Sequence, residues 1–189
     1  MKQFDPRHYR YTARFCEENI WWLIDSLNHE GISKDDMTVL FLSNPDASIV
    51  MFNQRVASAN SPVVWDYHVV LRVAIENASW VFDFDSRLSF PTGWNEYLMQ
   101  SFPVQARLPE RYRTWFRLVP ADDVKHHFYS DRSHMQGRVP RSQFPAYPMI
   151  KPETGVSPVD LFDYCNMYKP IAGSRVVLLS ELLQTTSHA

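Results

Sequence analysis

Three side-chain types in this sequence could do nucleophilic chemistry together: the thiol of Cys16, the imidazole of His68 and a carboxylate from Asp83 or Asp85. A free thiol with a pKa of about 8.5 is only a few per cent thiolate at neutral pH. A sulfur nucleophile therefore needs a base to take its proton and a third polar group to hold that base. Taken singly, each residue has a plainer reading. A lone cysteine is usually a small buried hydrophobe, a strand histidine is often satisfied inside the core, and aspartates commonly sit at turns. The combination in the order Cys, His, Asp points to a thiol hydrolase.

The elements around these residues must bring them together. Ile20, Leu23, Ile24 and Leu27 recur at helical spacing, which predicts a core helix over 16–27 opened by Cys16. A helix start lowers a thiol pKa, and so would an imidazolium; Glu17 and Glu18 stabilise the first turn but repel a thiolate. Short apolar runs predict strands over 37–42 and 49–52. A longer strand is expected over 63–75, with Trp65 and Tyr67 on the parity opposite Asp66 and His68, so that the two aromatics pack in the core rather than wall a substrate site. A turn at 76–78 and a second alternating run over 80–85 imply a hairpin. Its antiparallel register sets His68 opposite Asp85, with Asp83 one same-face step away, and leaves the choice between the two open.

Further along, the sequence predicts a helix near 94–102, a strand over 115–119, a helix over 120–127, and an irregular ordered excursion over 130–158. A helix capped by Ser157-Pro158 should then run to about Cys165, followed by a strand over 175–179 and a short terminal helix. Ser130-Asp131-Arg132-Ser133-His134 has the composition of a turn with internal hydrogen bonds. His126-His127 are adjacent and diverge on a helix, so no metal site is expected.

Composition narrows the function classes. At 189 residues with 45% hydrophobic and 21% charged residues, one compact domain spanning 1–189 is expected. A net charge of -2 and the lack of a Lys/Arg cluster argue against nucleic acid or an anionic membrane as partner. Residues 1–11 are polar where a signal peptide would be apolar, which points to the cytoplasm, and a monomer is expected. Two cysteines without Cys-x-x-Cys spacing build neither a disulfide framework nor a zinc knuckle.

Five ordered motifs carry a resemblance that runs nearly end to end. Cys16-Glu17-Glu18-Asn19 before a Trp-rich helix, Trp65-Asp66-Tyr67-His68-Val69, Asp83-Phe84-Asp85, Ser130-Asp131-Arg132-Ser133-His134-Met135 and Pro145-Ala146-Tyr147-Pro148 resemble the N-terminal glutamine amidohydrolase family. The resemblance implies an α/β (α+β) fold like papain and transglutaminases, with an antiparallel sheet flanked by helices. It implies hydrolysis of the side-chain amide of a glutamine at a protein's first position, through a cysteine thioester, without a cofactor, in the N-degron pathway. By motif, Cys16 becomes the nucleophile, His68 the base and Asp83 the orienting carboxylate, with Asp85 supporting. One departure is Arg14-Phe15 before the nucleophile, where members of the family carry a second cysteine. Protein or peptide substrates with a free N-terminal Gln would present an α-ammonium, for which Glu17, Glu18 or Asp66 could supply the carboxylate. A papain-like peptidase or a non-catalytic module that recognises chain termini would keep much of the same constellation.

Overall fold

The computed structural model describes residues 4–59 and 61–184. In chain order the helices are α1 (Cys16–His29), α2 (Trp94–Ser101), α3 (Ala121–His127), α4 (Leu161–Cys165) and α5 (Leu179–Gln184). The strands are β1 (Met37–Ser43), β2 (Ile49–Met51), β3 (Val63–Trp65), β4 (His68–Ile75), β5 (Ala78–Phe82), β6 (Thr92–Gly93), β7 (Trp115–Pro120), β8 (Phe128–Tyr129), β9 (Val159–Asp160) and β10 (Arg175–Leu178). Six strands form one antiparallel sheet in the order β10-β7-β1-β4-β5-β6, and helices cover both of its faces. This is the α+β arrangement with an antiparallel sheet and flanking helices that the sequence predicts.

Strand alternation explains the two layers. Val39, Phe41, Val69, Leu71 and Val73 point to one side, where α1 buries Ile20, Leu23, Ile24 and Leu27 against them. Leu40, Leu42, Val70, Phe116 and Leu118 point to the other, against Trp94, Tyr97 and Leu98 of α2. With both faces covered, β1 buries every residue except Thr38, which is why it reads as a continuous apolar run. Glu17 and Glu18 complement the positive end of the α1 dipole. The helix closes at Glu30, followed by Gly31 at φ 96°.

The β4–β5 hairpin turns on Glu76 and Asn77, at φ 48° and 64°, a pair of left-handed residues whose twist matches the flanking strands. Its register, Leu71↔Phe82 through Val73↔Trp80 to Ile75↔Ala78, is the one expected from the sequence. Three other expectations need correction. The strand expected over 63–75 is broken at Asp66-Tyr67, where Asp66 Oδ1 accepts from the Tyr67 N–H at 3.0 Å and the Asp66 carbonyl accepts from Ser43 Oγ at 2.8 Å. Those bonds replace ladder bonds, so β3 pairs with β2 while β4 joins the main sheet. The strand expected over 80–85 ends at Phe82, and the chain turns through Asp83 to Asp85. The helix reaching Cys165 starts at Leu161, capped by Asp160 Oδ1 on the Asp163 N–H at 2.8 Å, because 159–160 pair with β8 instead of starting the helix.

The excursion over 130–158 is ordered around Arg132, whose guanidinium donates to the carbonyls of Pro145, Tyr147 and Pro148. Met135 and Val139 from this segment pack with Phe144 against Phe15, the residue before Cys16. Among the described residues no helix is long and apolar enough to cross a membrane.

Candidate active site

The first turn of α1 meets the beginning of β4. Asn19 is buried and clamps the approach to the helix: its Nδ2 donates to the Thr12 carbonyl at 2.9 Å and its Oδ1 accepts from the Thr12 N–H at 2.8 Å. The chain then passes through Arg14 at φ 72° and enters α1 at Cys16. Cys16 as a residue is 9% exposed, and its thiol lies in reach of the backbone N–H of Val69, the residue next to His68. Helix start and strand start thereby bring the sulfur to the residue that follows His68.

His68 and Asp83 form a buried pair, His68 Nε2 to Asp83 Oδ1 at 2.9 Å, and the Trp65 indole stacks on the imidazole with ring centroids 6.1 Å apart. The carboxylate is held on both oxygens. Oδ1 also accepts from the Asp85 N–H at 2.9 Å, and Oδ2 accepts from the Tyr97 hydroxyl at 2.8 Å and Gln54 Nε2 at 3.2 Å. Burial alone would push the Asp83 pKa up, but the His68 charge and these donors outweigh it and hold it below the usual carboxylate value. Burial likewise works against a charged His68, yet the charge and hydrogen bond of Asp83 prevail and raise its pKa above the ordinary value. Strand register alone left Asp83 and Asp85 as alternatives. Because β5 stops at Phe82, the turn folds Asp83 under the ring, while Asp85 accepts from the Tyr11 hydroxyl at 2.6 Å and, mainly by burial, has its pKa raised.

His68, Asp83 and Asp85 each place one potential ligand atom within 4.8 Å of the others. A cation there would have to displace donors from an aspartate whose two oxygens already accept hydrogen bonds from four groups. The donor set fits a hydrogen-bonded base and its orienter better than a metal centre.

The acidic residues beside the thiol differ in what they do. Glu18 is fully buried and committed: Arg132 binds both its oxygens at 2.8 Å, and Ser130 Oγ donates at 2.7 Å. Both oxygens of Glu18 are thus taken by protein donors. Asp66 is half-exposed, with its Oδ2 on Arg138 Nη1 at 2.8 Å. Glu17 is buried at 3.6 Å from the sulfur, and its Oε2 accepts from the Tyr67 hydroxyl at 3.2 Å. Its other oxygen, Oε1, is buried without a hydrogen bond among the described residues, 3.4 Å from His134 Nε2. The thiol pKa is pushed well above its ordinary value by burial first, and then by the charges of Glu17 and Asp85, with the Val69 N–H opposing them. Burial first and the neighbouring acids second thus oppose ionisation of the thiol despite its place at the helix start.

Tyr67 packs against the core as expected and also reaches the cluster around the thiol. Its hydroxyl lies 3.1 Å from His134 Nε2, and the residue lines a cavity of about 470 Å³ together with Asp66, Arg138, Leu161, Phe162 and Cys165. Within the segment read as a turn, Asp131 does cap the Ser133 N–H at 2.8 Å. Arg132 and His134 nevertheless reach the acids of α1, a role that spacing did not reveal. The available signal was electrostatic: two consecutive glutamates entering an apolar helix require buried partners.

A family model described as N-terminal glutamine amidase matches residues 11–186. A bovine (Bos taurus) protein named Protein N-terminal glutamine amidohydrolase is 34% identical over 181 residues, covering 94% of this chain and 86% of its own. The human (Homo sapiens) protein of that name is 34% identical over 175 residues, covering 90% and 84%, and the zebrafish (Danio rerio) one is 32% identical over 181 residues, covering 92% and 87%.

Proposed function

Because the chain belongs to the N-terminal glutamine amidase family, we propose that it hydrolyses the side-chain amide of a glutamine at the first position of proteins and peptides, giving glutamate and ammonia. The observation that carries the chemistry is the buried His68–Asp83 pair next to a thiol at a helix start. Cys16 is the nucleophile, His68 the general base and acid, and Asp83 the group that fixes the imidazole.

Asp83 occupies His68 Nε2, which leaves Nδ1 as the nitrogen that exchanges protons with substrate and sulfur. The Cys16 proton passes to Nδ1 as Sγ attacks the glutamine Cδ. First-turn N–H groups of α1, which the helix itself leaves without acceptors, stabilise the tetrahedral oxyanion. The C–N bond breaks, the imidazolium gives its proton to the departing ammonia, and a thioester remains. Water then gives a proton to Nδ1 and its oxygen to Cδ, and collapse returns glutamate and the free thiol.

Selection of the first residue falls to Glu17. An α-ammonium must lie within one glutamine side chain of the sulfur, and Glu17 is a buried carboxylate 3.6 Å from that sulfur whose Oε1 makes no hydrogen bond among the described residues and has the His134 ring at 3.4 Å. Asp85 supports the Asp83 carboxylate through its backbone, and Asp66 stands at the rim. The match over residues 11–186 supports reading the chain as a single amidohydrolase domain. A cytosolic monomer acting on protein N termini fits its near-neutral charge.

The test is a mass-resolved assay on peptides that differ only at the first residue: Gln, Asn and Nα-acetylated Gln. Ammonia release with unchanged chain length from the free Gln peptide alone is expected, lost in folded Cys16→Ala, His68→Ala and Asp83→Asn. A shortened peptide would identify a peptidase, and full turnover by folded Cys16→Ala would overturn the assignment.

A further inference from the structure

His134 has no part in the chemistry above, yet it stands against the group that selects the substrate's end. Glu17 Oε2 accepts from the Tyr67 hydroxyl at 3.2 Å and faces the Cys16 sulfur at 3.6 Å, while Oε1 makes no hydrogen bond among the described residues. The neighbouring guanidiniums are committed elsewhere, Arg132 to both oxygens of Glu18 and Arg138 to Asp66. Among the described residues, the ion pair open to Glu17 is with His134, whose Nε2 lies 3.4 Å from Oε1 and whose side chain is 7% exposed.

Hydrogen bonding assigns the ring proton. Tyr67 has a single hydroxyl hydrogen, which the buried carboxylate claims, so the phenol oxygen accepts from His134 Nε2 at 3.1 Å. Nε2 therefore carries a hydrogen in either charge state, and a second proton goes to Nδ1 and makes the ring a cation beside Oε1. A buried carboxylate gains from one cation, and a second in the same place would be repelled by the first. Glu17 from α1, Tyr67 from the break between β3 and β4 and Asp131 of its own segment face the ring, and Phe162 of α4 packs edge-on against it at a centroid distance of 6.1 Å. Cys16, Cys165, Asp66 and Arg138 act electrostatically on Tyr67, and His68 and Arg132 feel the Glu17 charge.

We propose that His134 is a positioning residue for recognition of the chain end: its ring must be neutral for Glu17 to take the substrate's α-ammonium, so binding expels a proton from a charged His134. The inference rests on the amidohydrolase reading with Glu17 as the ammonium acceptor. The imidazolium gives its Nδ1 proton to solvent, the neutral ring keeps its Nε2 hydrogen on Tyr67, and the ammonium keeps all three of its own. One proton thus competes with one ammonium for the same carboxylate. By linkage, affinity for a free amine falls by up to about tenfold for each pH unit over which the ring is charged.

Calorimetric binding of an amidated Gln-Gly-Gly peptide to Cys16→Ala, in buffers of different ionisation enthalpy, tests this. The range is about pH 5 to 7, where histidines change charge and the peptide, with an α-amino pKa of about 7.7, is already an ammonium. Release approaching one proton per peptide at the acid end is expected, with none for the same peptide lacking its α-amine. Adding His134→Asn or His134→Gln, with folding checked by urea unfolding, should abolish the release and level the affinity across the range. His68 is the rival source, because its ring also feels Glu17, and adding His68→Gln instead should leave the release intact. Release that survives a folded His134 change, that disappears with His68→Gln, or that is absent from Cys16→Ala itself would overturn the proposal; should neither His134 variant fold, the His68 arm decides. Ammonia release by the wild type without proton-linked binding would sink the role of His134 alone. Proton-linked binding of the free amine without ammonia release would retain that role and discard the amidohydrolase reading, and failure to bind the peptide would sink both.

Discussion

Glu17→Gln should make Cys16 more reactive and the enzyme less active, two effects of opposite sign from one change. The carboxylate lies 3.6 Å from Sγ, a separation at which two unit charges repel by about 4–5 kcal/mol at the effective dielectric of about 20 that suits protein sites. That repulsion opposes the thiolate, and the neutral amide removes it. Nucleophilicity falls as a thiol becomes more acidic, with a Brønsted coefficient of about 0.5, so about half of the gain survives as rate. Glutamine is isosteric with glutamate and can still accept from Tyr67, while Asp85 and His68 are untouched and the His134 ring, 3.4 Å from Glu17, keeps its place. Alkylation of Cys16 by iodoacetamide at neutral pH should therefore accelerate by about thirtyfold. Deamidation of Gln-initiated peptides should fall, and the preference for a free over an acetylated amine should collapse. The reasoning predicts further that a bound α-ammonium does transiently what the mutation does permanently: it neutralises Glu17 and lets the thiol ionise when the correct end is present. Alkylation that is unchanged or slower in folded Glu17→Gln would refute it, as would retention of the full preference for a free amine.

Three other outcomes can be measured directly. The stability difference between wild type and His68→Gln should vary with pH in a defined sense. The Asp83 contribution, with its lowered pKa, is present above the unfolded value of about 3.9 and lost as pH falls through the folded one; the His68 contribution, with its raised pKa, is complete below about 6.5 and lost as pH rises through the folded value. Urea unfolding should thus give the largest difference between about pH 4 and 6.5, and a difference that grows above that window would contradict the assignment. Arg132→Ala leaves the buried Glu18 carboxylate uncompensated and should cost about 3–5 kcal/mol in urea unfolding, whereas Glu18→Leu combined with Arg132→Met should recover much of it; additive losses would argue against a coupled pair. Tyr97→Phe removes the 2.8 Å bond to Asp83 Oδ2 inside the core and should cost about 1–3 kcal/mol with kcat lowered, and neutrality in both would show that Gln54 alone holds that oxygen.

What the sequence revealed depended on how local the cause was. The α1 span, the two-residue turn at Glu76-Asn77 and the β4–β5 register follow from periodicity and turn chemistry among neighbouring residues, and they place His68 and its acid partner on adjoining segments. The choice of Asp83 over Asp85 was not fixed by alternation, because it depends on β5 stopping at Phe82 and on Tyr97 and Gln54 arriving from distant segments. The break at Asp66-Tyr67 escaped the alternation rule for a related reason: its hydrogen bonds go to side chains, one from β1 and one from Asp66 itself. Arg132 and His134 were hidden in a segment without period, where the informative quantity was the unbalanced charge of two glutamates more than a hundred residues earlier.

The bidentate clasp between Glu18 and Arg132 spans 114 positions of chain. During synthesis the segment bearing the nucleophile leaves the ribosome long before its guanidinium clamp exists. Until residue 132 emerges, a buried carboxylate two places from the sulfur lacks its counter-ion, and the packing behind Phe15 is missing as well. Competence to act on other proteins' ends should accordingly appear as a late event in biogenesis, keeping half-made chains from acting as stray thiol catalysts among other nascent polypeptides.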